Sequence, residues 1–297
     1  MTYWIGIFFA IFSGILSNFA SVIQKKIIKE IPKDEKIMKI LVKKPLWWIS
    51  IIIGIVIGTI FLFIAQLFIG PILIPGLLAF GLIILTIGSI KINGEKLKKE
   101  EIIGIITMIV GIFFIGFSEL FINVSSTDIL DIGFITRISI FTGLLLIIGV
   151  LCELFQRKII KFKGILLITT SGLLFSINIL WMSILMTVIS HFYSGIDVKG
   201  EMIYFIIAVV MIPLITLVSL IKSQQAFKYG QASYLIPIQQ VPFQIIPIFI
   251  YFLVFLLIPK NYLSIVYMII GISLILISSI LLVKRQTQMQ QENLSEI

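Results

Sequence analysis

The chain has 297 residues, 59% of them hydrophobic and 12% charged, with a formal net charge of +9. A soluble domain of this size carries about twice that share of charge. A water-soluble globular protein is therefore excluded, and the length suits one polytopic bundle with no separate soluble domain.

Nine apolar stretches follow in chain order: Tyr3–Ile23, Leu46–Phe68, Gly70–Ile90, Ile102–Leu120, Ile132–Cys152, Gly164–Ile189, Met202–Ile221, Gly230–Ile258 and Tyr262–Val283. Crossing the hydrocarbon core takes about 20 apolar residues in a helix. Only helices or closed barrels satisfy their backbone groups there. These runs lack strict alternation, so they are read as nine transmembrane helices of an all-α fold. The longest polar connection is Gln24–Pro45, and the polar tail Lys284–Ile297 is expected to be disordered.

The basic residues fall in alternate connections. Eight lysines lie between stretches one and two (Lys25, Lys26, Lys29, Lys33, Lys36, Lys39, Lys43, Lys44). Lys91, Lys96, Lys98 and Lys99 lie between three and four, and Arg157, Lys158, Lys161 and Lys163 between five and six. Lys222 and Lys228 precede stretch eight, and Lys284 and Arg285 follow stretch nine. Together these are 20 of the 23 basic residues; Lys199 and Lys260 lie opposite, and Arg137 sits within stretch five. The positive-inside rule puts the rich side in the cytoplasm, hence the amino terminus outside and the carboxyl terminus inside a plasma membrane. The excess charge is a topology signal with some attraction to anionic lipid, and it does not mark nucleic-acid binding. The single Cys152 excludes an internal disulfide. No basic n-region or cleavage site marks a signal peptide at the amino terminus.

Internal similarity is visible. Stretch one reads Ser13-Gly14-Ile15-Leu16-Ser17-Asn18, and stretch six Ser171-Gly172-Leu173-Leu174-Phe175-Ser176-Ile177-Asn178. Stretch three opens with Gly70-Pro71 and Pro75, and stretch eight with Gly230-Gln231 and Pro237. Helices one to four thus resemble helices six to nine, with helix five extra, and the charge sorting makes the halves inverted. The expected organisation is a first half at 1–121, a second at 122–283 and a cytoplasmic tail at 284–297. Inverted repeats with Pro- or Gly-interrupted helices are a transporter plan with substrate near the repeat interface.

Intramembrane ionisable groups usually mark function. Glu119, Arg137 and Glu153 fall near helix ends, so no central carboxylate is expected and exchange at a buried glutamate is disfavoured. The polar groups at depth are neutral. Gln240 and Gln244 share a helical face with Ser233 and Pro237. Pro237 and Pro242 are expected to interrupt this helix and free backbone carbonyls. These four residues are the main candidates for substrate binding, against a reading as interhelical packing bonds. Asn18, Gln66 and Asn178 are further candidates, and Phe175, Trp181, Tyr229 and Tyr234 are aromatic ones that also suit packing. The spacing Gly54-x-x-x-Gly58 suits close helix packing. His191 is expected to be solvated in an outer loop. No catalytic, phosphate-binding or metal-spaced motif is present, so a non-enzyme without cofactor is expected, and no metal ligands are assigned.

One run of motifs extends from Pro45-Leu46-Trp47-Trp48 through Gly54, Gly58 and Gly70-Pro71 to Asn93-Gly94-Glu95-Lys96-Leu97, Ile103-Gly104 and Gly111. A second is Ala226-Phe227-Lys228-Tyr229 through Ala232-Ser233-Tyr234-Leu235-Ile236-Pro237-Ile238. With these motifs the chain resembles the drug/metabolite transporter superfamily, including its EamA-like members, and most of all the nine-helix NIPA-type magnesium transporters. The resemblance implies a divalent cation as cargo. The family's acidic residue after the second-helix glycine falls here on Thr59, and its following asparagine on Leu62. The neutral lining suggests instead a small neutral or zwitterionic metabolite. A third reading is a non-transporting lipid-binding or assembly factor. Expected partners are the bilayer and the solute or cation, with a homodimer left open.

Overall fold

In the computed structural model the described residues are 2–32, 37–69, 77–78, 80–95, 97–118, 120, 127–259 and 261–295. Among them there is no strand. The helices are α1 (Thr2–Lys29), α2 (Ile37–Leu41), α3 (Pro45–Ile51), α4 (Gly58–Ile69), α5 (Phe80–Asn93), α6 (Lys99–Phe117), α7 (Ile132–Lys158), α8 (Lys163–Tyr193), α9 (Met202–Phe227), α10 (Ala232–Phe249) and α11 (Tyr262–Ser295). A π-helical segment, Ile52–Ile57, joins α3 to α4, and another, Ile250–Val254, follows α10.

Eight helical spans are long and apolar enough to cross a membrane, and α5 is a shorter apolar helix. The third expected stretch began at Gly70, and its first residues lie outside the described part. Large apolar side chains face outward in stripes, such as Ile140, Leu144, Ile147 and Leu151 on α7 and Ile203, Ile206, Val210, Leu214 and Leu217 on α9. Water would penalise such surface, whereas acyl chains match it. The chain is an all-α, multi-pass membrane protein.

Several helices outrun their apolar stretches. α1 continues six residues past Ile23, because Gln24, Lys25 and Lys29 find partners on other helices. The tail expected to be disordered continues α11 as far as Ser295.

Helix pairing repeats along the chain. α1 packs on both α4 and α5, and α8 packs on both α9 and α10. Ser13 Oγ donates to Gly58 O (2.7 Å) and Ser17 Oγ to Gly54 O (3.2 Å), so α1 is antiparallel to the helix beside it. Ser171 bonds Ser219 and Ser223, while Asn178 bonds Thr216, so α8 is antiparallel to α9. Gly14 abuts Leu78 and Val22 abuts Gly88, a parallel crossing of α1 with α5. Gly172 abuts Gln239 and Ser176 Oγ donates to Pro242 O (3.0 Å), a parallel crossing of α8 with α10.

The glycines make these crossings close. A Cβ on Gly14 would lie 2.5 Å from Leu78 O, and one on Gly172 would lie 2.6 Å from Gln239 O. α6 and α11 cross antiparallel: Gly104 lies at Leu282, Gly111 and Gly271 abut one another, and Tyr267 lies at Phe114.

The polar ends converge. Lys29 Nζ donates to Asn93 O (3.0 Å), Lys163 Nζ sits over the Tyr229 ring (4.7 Å), and Lys222 is ion-paired with Glu153. The C-terminal ends of α1, α5, α7 and α9 and the N-terminal ends of α8 and α10 therefore share one basic face.

Candidate functional site

α10 carries Gln239, Gln240 and Gln244. It runs unbroken from Ala232 through Pro237 and Pro242, and only past Pro247 does the backbone widen into a π-type turn. The expected interruption at Pro237 and Pro242 is thus absent. Each proline lacks an N–H and frees the carbonyl four residues earlier, yet the helix continues through Pro237 and Pro242 where α10 packs closely on α8. The Pro242 ring lies against Gly172, where a Cβ would come within 2.5 Å of its Cγ, and Ser176 Oγ donates to the Pro242 carbonyl.

The three glutamines part company. Gln239 is buried and donates to Ser171 Oγ (2.7 Å) and Ser223 Oγ (3.0 Å). With Ser219 these residues form a hydroxyl–amide cluster joining α8, α9 and α10. This is interhelical bonding of the packing kind. Gln239→Leu is expected to destabilise the protein by about 1–3 kcal/mol, the cost of stranding its partners, while ligand affinity stays unchanged; thermal unfolding of the purified variant measures the first and ligand titration the second.

Gln240 and Gln244 behave differently. Gln244 Nε2 donates to Gln240 Oε1 at 3.3 Å, one turn apart on the same helix. Among the described residues, this is the one side-chain hydrogen bond of either amide. Gln244 is buried and Gln240 half-buried. Nothing they bond ties α10 to a neighbour, so the packing reading does not account for them.

Of the other candidates, Ser233 lies away from this pair. Its Oγ and N–H both donate to the Glu95 carboxylate at the first turn of α10. Seven residues separate it from Gln240, about 10 Å along the axis, so a shared face does not make a shared site. Pro237 is buried between them. Asn18 donates to Gly14 O (3.0 Å) and packs on Gly81. In the second half Ser176 makes the matching bond, to Gly172 O (2.9 Å), so Ser176 and not Asn178 is the counterpart of Asn18.

Asn178 Nδ2 donates to Thr216 Oγ1 (2.8 Å), while its Oδ1 is buried with no partner. Trp181 Nε1, one turn on, is likewise buried and unpaired. An orphan acceptor and an orphan donor on one helical face are unusual, and they suit a polar guest. The side chain of Gln66 lies outside the described residues, as does Glu119.

The aromatic candidates divide in the same way. Phe175 meets Phe243 of α10 edge to face, ring centroids 6.3 Å apart. Tyr229 lies under Lys163, and Tyr234 is fully buried in the core at the basic end. Gly54 and Gly58 press on Ala20 and Ser17 of α1, which is a packing role.

His191 is not solvated. α8 extends to Tyr193, and His191 Nδ1 lies 2.9 Å from Glu201 Oε1 with both residues about 5% exposed. Reading Ser190–Glu201 as an outer loop missed that the helix carries His191 back under the start of α9. Glu201→Ala is expected to cost about 1–3 kcal/mol by removing a buried acceptor, seen as a lower melting temperature that Glu201→Gln partly restores. Arg137, placed near a helix end by the sequence, donates to Val254 O (2.9 Å) and lies 3.7 Å from Asp131, which caps α7.

The sequence reading also missed Glu95. It is 7% exposed, and it accepts from the N–H groups of Ala232 (2.9 Å) and Ser233 (3.1 Å). The Asn93-Gly94-Glu95 turn was the available signal. Gly94 adopts φ +65°, a left-handed turn that ends α5 and points the chain back.

Among the described residues, no group of three or more His, Cys, Asp or Glu side chains is placed to hold a metal ion. No family model, curated protein or solved structure matches the chain.

Proposed function

We propose that the chain is a membrane transporter of the drug/metabolite transporter type, built from two inverted halves, that moves a small neutral or zwitterionic solute past α10. The observation that carries the reading is the pair Gln240–Gln244, two sparsely satisfied amides on a proline-bearing helix, bonded only to one another among the described residues. Such amides present both donors and acceptors, which is what a hydrogen-bonding solute needs. Asn178 Oδ1 and Trp181 Nε1 on α8 are a further buried acceptor and donor without partners.

The repeated pairing supports the two-half plan. α1, α4 and α5 pair as α8, α9 and α10 do, and α6 meets α11. Lys25 near the end of α1 reaches the end of α9. α8 runs antiparallel to α9, so α1 and α8 run in opposite directions, as inverted halves require. On this reading the protein is a nine-helix non-enzyme of the plasma membrane, amino terminus outside and basic face in the cytoplasm. Reporter fusions at Met1 and Ile297 are expected to report opposite compartments; the same compartment for both removes the nine-helix plan.

The second reading, a divalent cation, follows from the resemblance and is favoured by the carbonyls of Ser233, Ile238 and Phe243 that the three prolines free. A divalent ion in a low-dielectric site needs compensating negative charge. The residues bonded around Gln240 and Gln244 supply none. Thermal-shift screening of the purified protein separates the readings by linkage. Stabilisation by amino acids or other neutral metabolites supports the first. Stabilisation by magnesium alone transfers the conclusion to the second, and none by either class removes both.

A further inference from the structure

The basic end of the bundle is fastened in an unusual way. The short corner between α9 and α10, residues 228–231, is gripped from two sides by the first half of the chain. Lys25 Nζ donates to the carbonyls of Phe227 and Gly230, at the C-terminal end of α9. The Glu95 carboxylate accepts from two N–H groups and one hydroxyl at the N-terminal end of α10. Each charge therefore sits at the helix end of opposite partial charge, which strengthens both contacts. Beside them Gln224 Nε2 donates to Gln24 Oε1. A further side-chain hydrogen bond between the first four membrane helices and the last four runs from Ser278 Oγ to Gly104 O (2.6 Å) on the α6–α11 pair.

The grip is imperfect in a telling manner. Asn93 Oδ1, Gln224 Oε1 and Gln231 Oε1 are buried without partners. Asn93 lies two residues before Glu95, Gln224 is bonded to the residue before Lys25, and Gln231 adjoins Ala232. Buried orphan acceptors cost free energy that another arrangement recovers. The same few residues thus hold charged hydrogen bonds between the halves and, beside them, unsatisfied acceptors.

We propose that Lys25 and Glu95 are the two arms of a latch that closes the basic end of the bundle, and that this end opens when the α9–α10 corner leaves them. The proposal rests on the transport reading above, because a route past α10 has to open at both ends in turn. Both arms lie within the first half and both targets within the second, so release permits relative movement of the halves.

The test uses the full chain in membrane vesicles, with Cys152→Ser removing the native thiol and Val241→Cys on α10 as reporter. A charged, impermeant maleimide is applied to vesicles of each sidedness, and Lys43→Cys, on an exposed lysine of the basic face, identifies which population presents that face. Glu95→Gln is expected to raise labelling of Val241→Cys from the basic face tenfold or more. Lys25→Met should do the same, and Lys25→Arg should return the rate towards the parent. Labelling from the opposite face should not rise. An unchanged rate from the basic face in a monodisperse Glu95→Gln or Lys25→Met protein overturns the latch, as does loss of folded protein in both, which marks the contacts as structural ties. Ligand binding in the thermal-shift screen with unchanged labelling sinks the latch alone. Latch opening without any ligand response sinks the substrate reading alone.

Discussion

Gly81→Ala is expected to cost the protein its close α1–α5 crossing and, with it, about 3 kcal/mol or more of stability, the upper part of the range for overpacking a core. The added Cβ would overlap the Gly14 carbonyl and Asn18 Nδ2, one a backbone atom and the other held by its bond to Gly14. Neither neighbour is the free end of a flexible side chain, so relief requires the helices to part. Gly172→Ala should act similarly in the second half, where the Cβ would meet Pro242 Cγ at 2.5 Å and Gln239 O at 2.6 Å. Gly143 on α7 is the control: nothing lies within 4 Å of its added Cβ. Gly143→Ala should leave stability unchanged or raise it by up to about 1 kcal/mol through helix propensity. Melting temperature and monodispersity in detergent measure all three. Equal melting of Gly81→Ala and Gly143→Ala contradicts the parallel crossing.

The second large effect is functional. Gln240→Leu is expected to weaken ligand binding or uptake by roughly tenfold, since one hydrogen-bonding partner contributes about 1–3 kcal/mol when the group it serves is left buried and unpaired. Stability should fall less than in Gln239→Leu, because Gln240 ties α10 to no other helix among the described residues and its loss strands only the long bond from Gln244. Gln244→Leu should act in the same direction, and either substitution removes the Gln244–Gln240 bond. Gln239→Leu is the internal contrast: its cost should appear in the melting temperature and not in affinity, since it bonds Ser171 and Ser223. Unchanged affinity in both Gln240→Leu and Gln244→Leu takes α10 out of the binding site.

These two experiments probe opposite ends of what can be read from a sequence. The membrane class and the all-helical fold follow from composition and run length, because the bilayer imposes one rule on every backbone group. The sorting of lysines into alternate connections, the Ser-Gly pairs at Ser13-Gly14 and Ser171-Gly172, and Gly54-x-x-x-Gly58 were equally legible. Each is a short-range signal whose physical meaning, charge placement or backbone approach, needs no knowledge of the neighbour.

Partners were a different matter. Gln239, Gln240 and Gln244 are alike as residues within about one and a half turns of a helix, yet Gln239 finds two serines on other helices while, among the described residues, Gln240 and Gln244 bond only each other. Ser233 shares their face by spacing, but a carboxylate 138 positions earlier in the chain claims it. His191 reads as a loop residue until α8 extends far enough to bury it against Glu201. Lys25 reads as one more cytoplasmic lysine until α1 carries it to the carbonyls of the α9–α10 corner.

Periodicity and hydropathy report how a residue faces its own helix, and the bilayer makes that enough to mark segments long and apolar enough to cross. They carry no information on which polar group waits across the interface. A buried polar side chain is governed by that partner, since an unpaired one costs more than a local propensity returns. The sequence by itself therefore determined the membrane class, the all-helical fold and the packing role of Gly54 and Gly58. Only the tertiary structure decided which polar residues are interhelical ties, as Gln239 is, and which, like Gln240 and Gln244, bond only one another among the described residues.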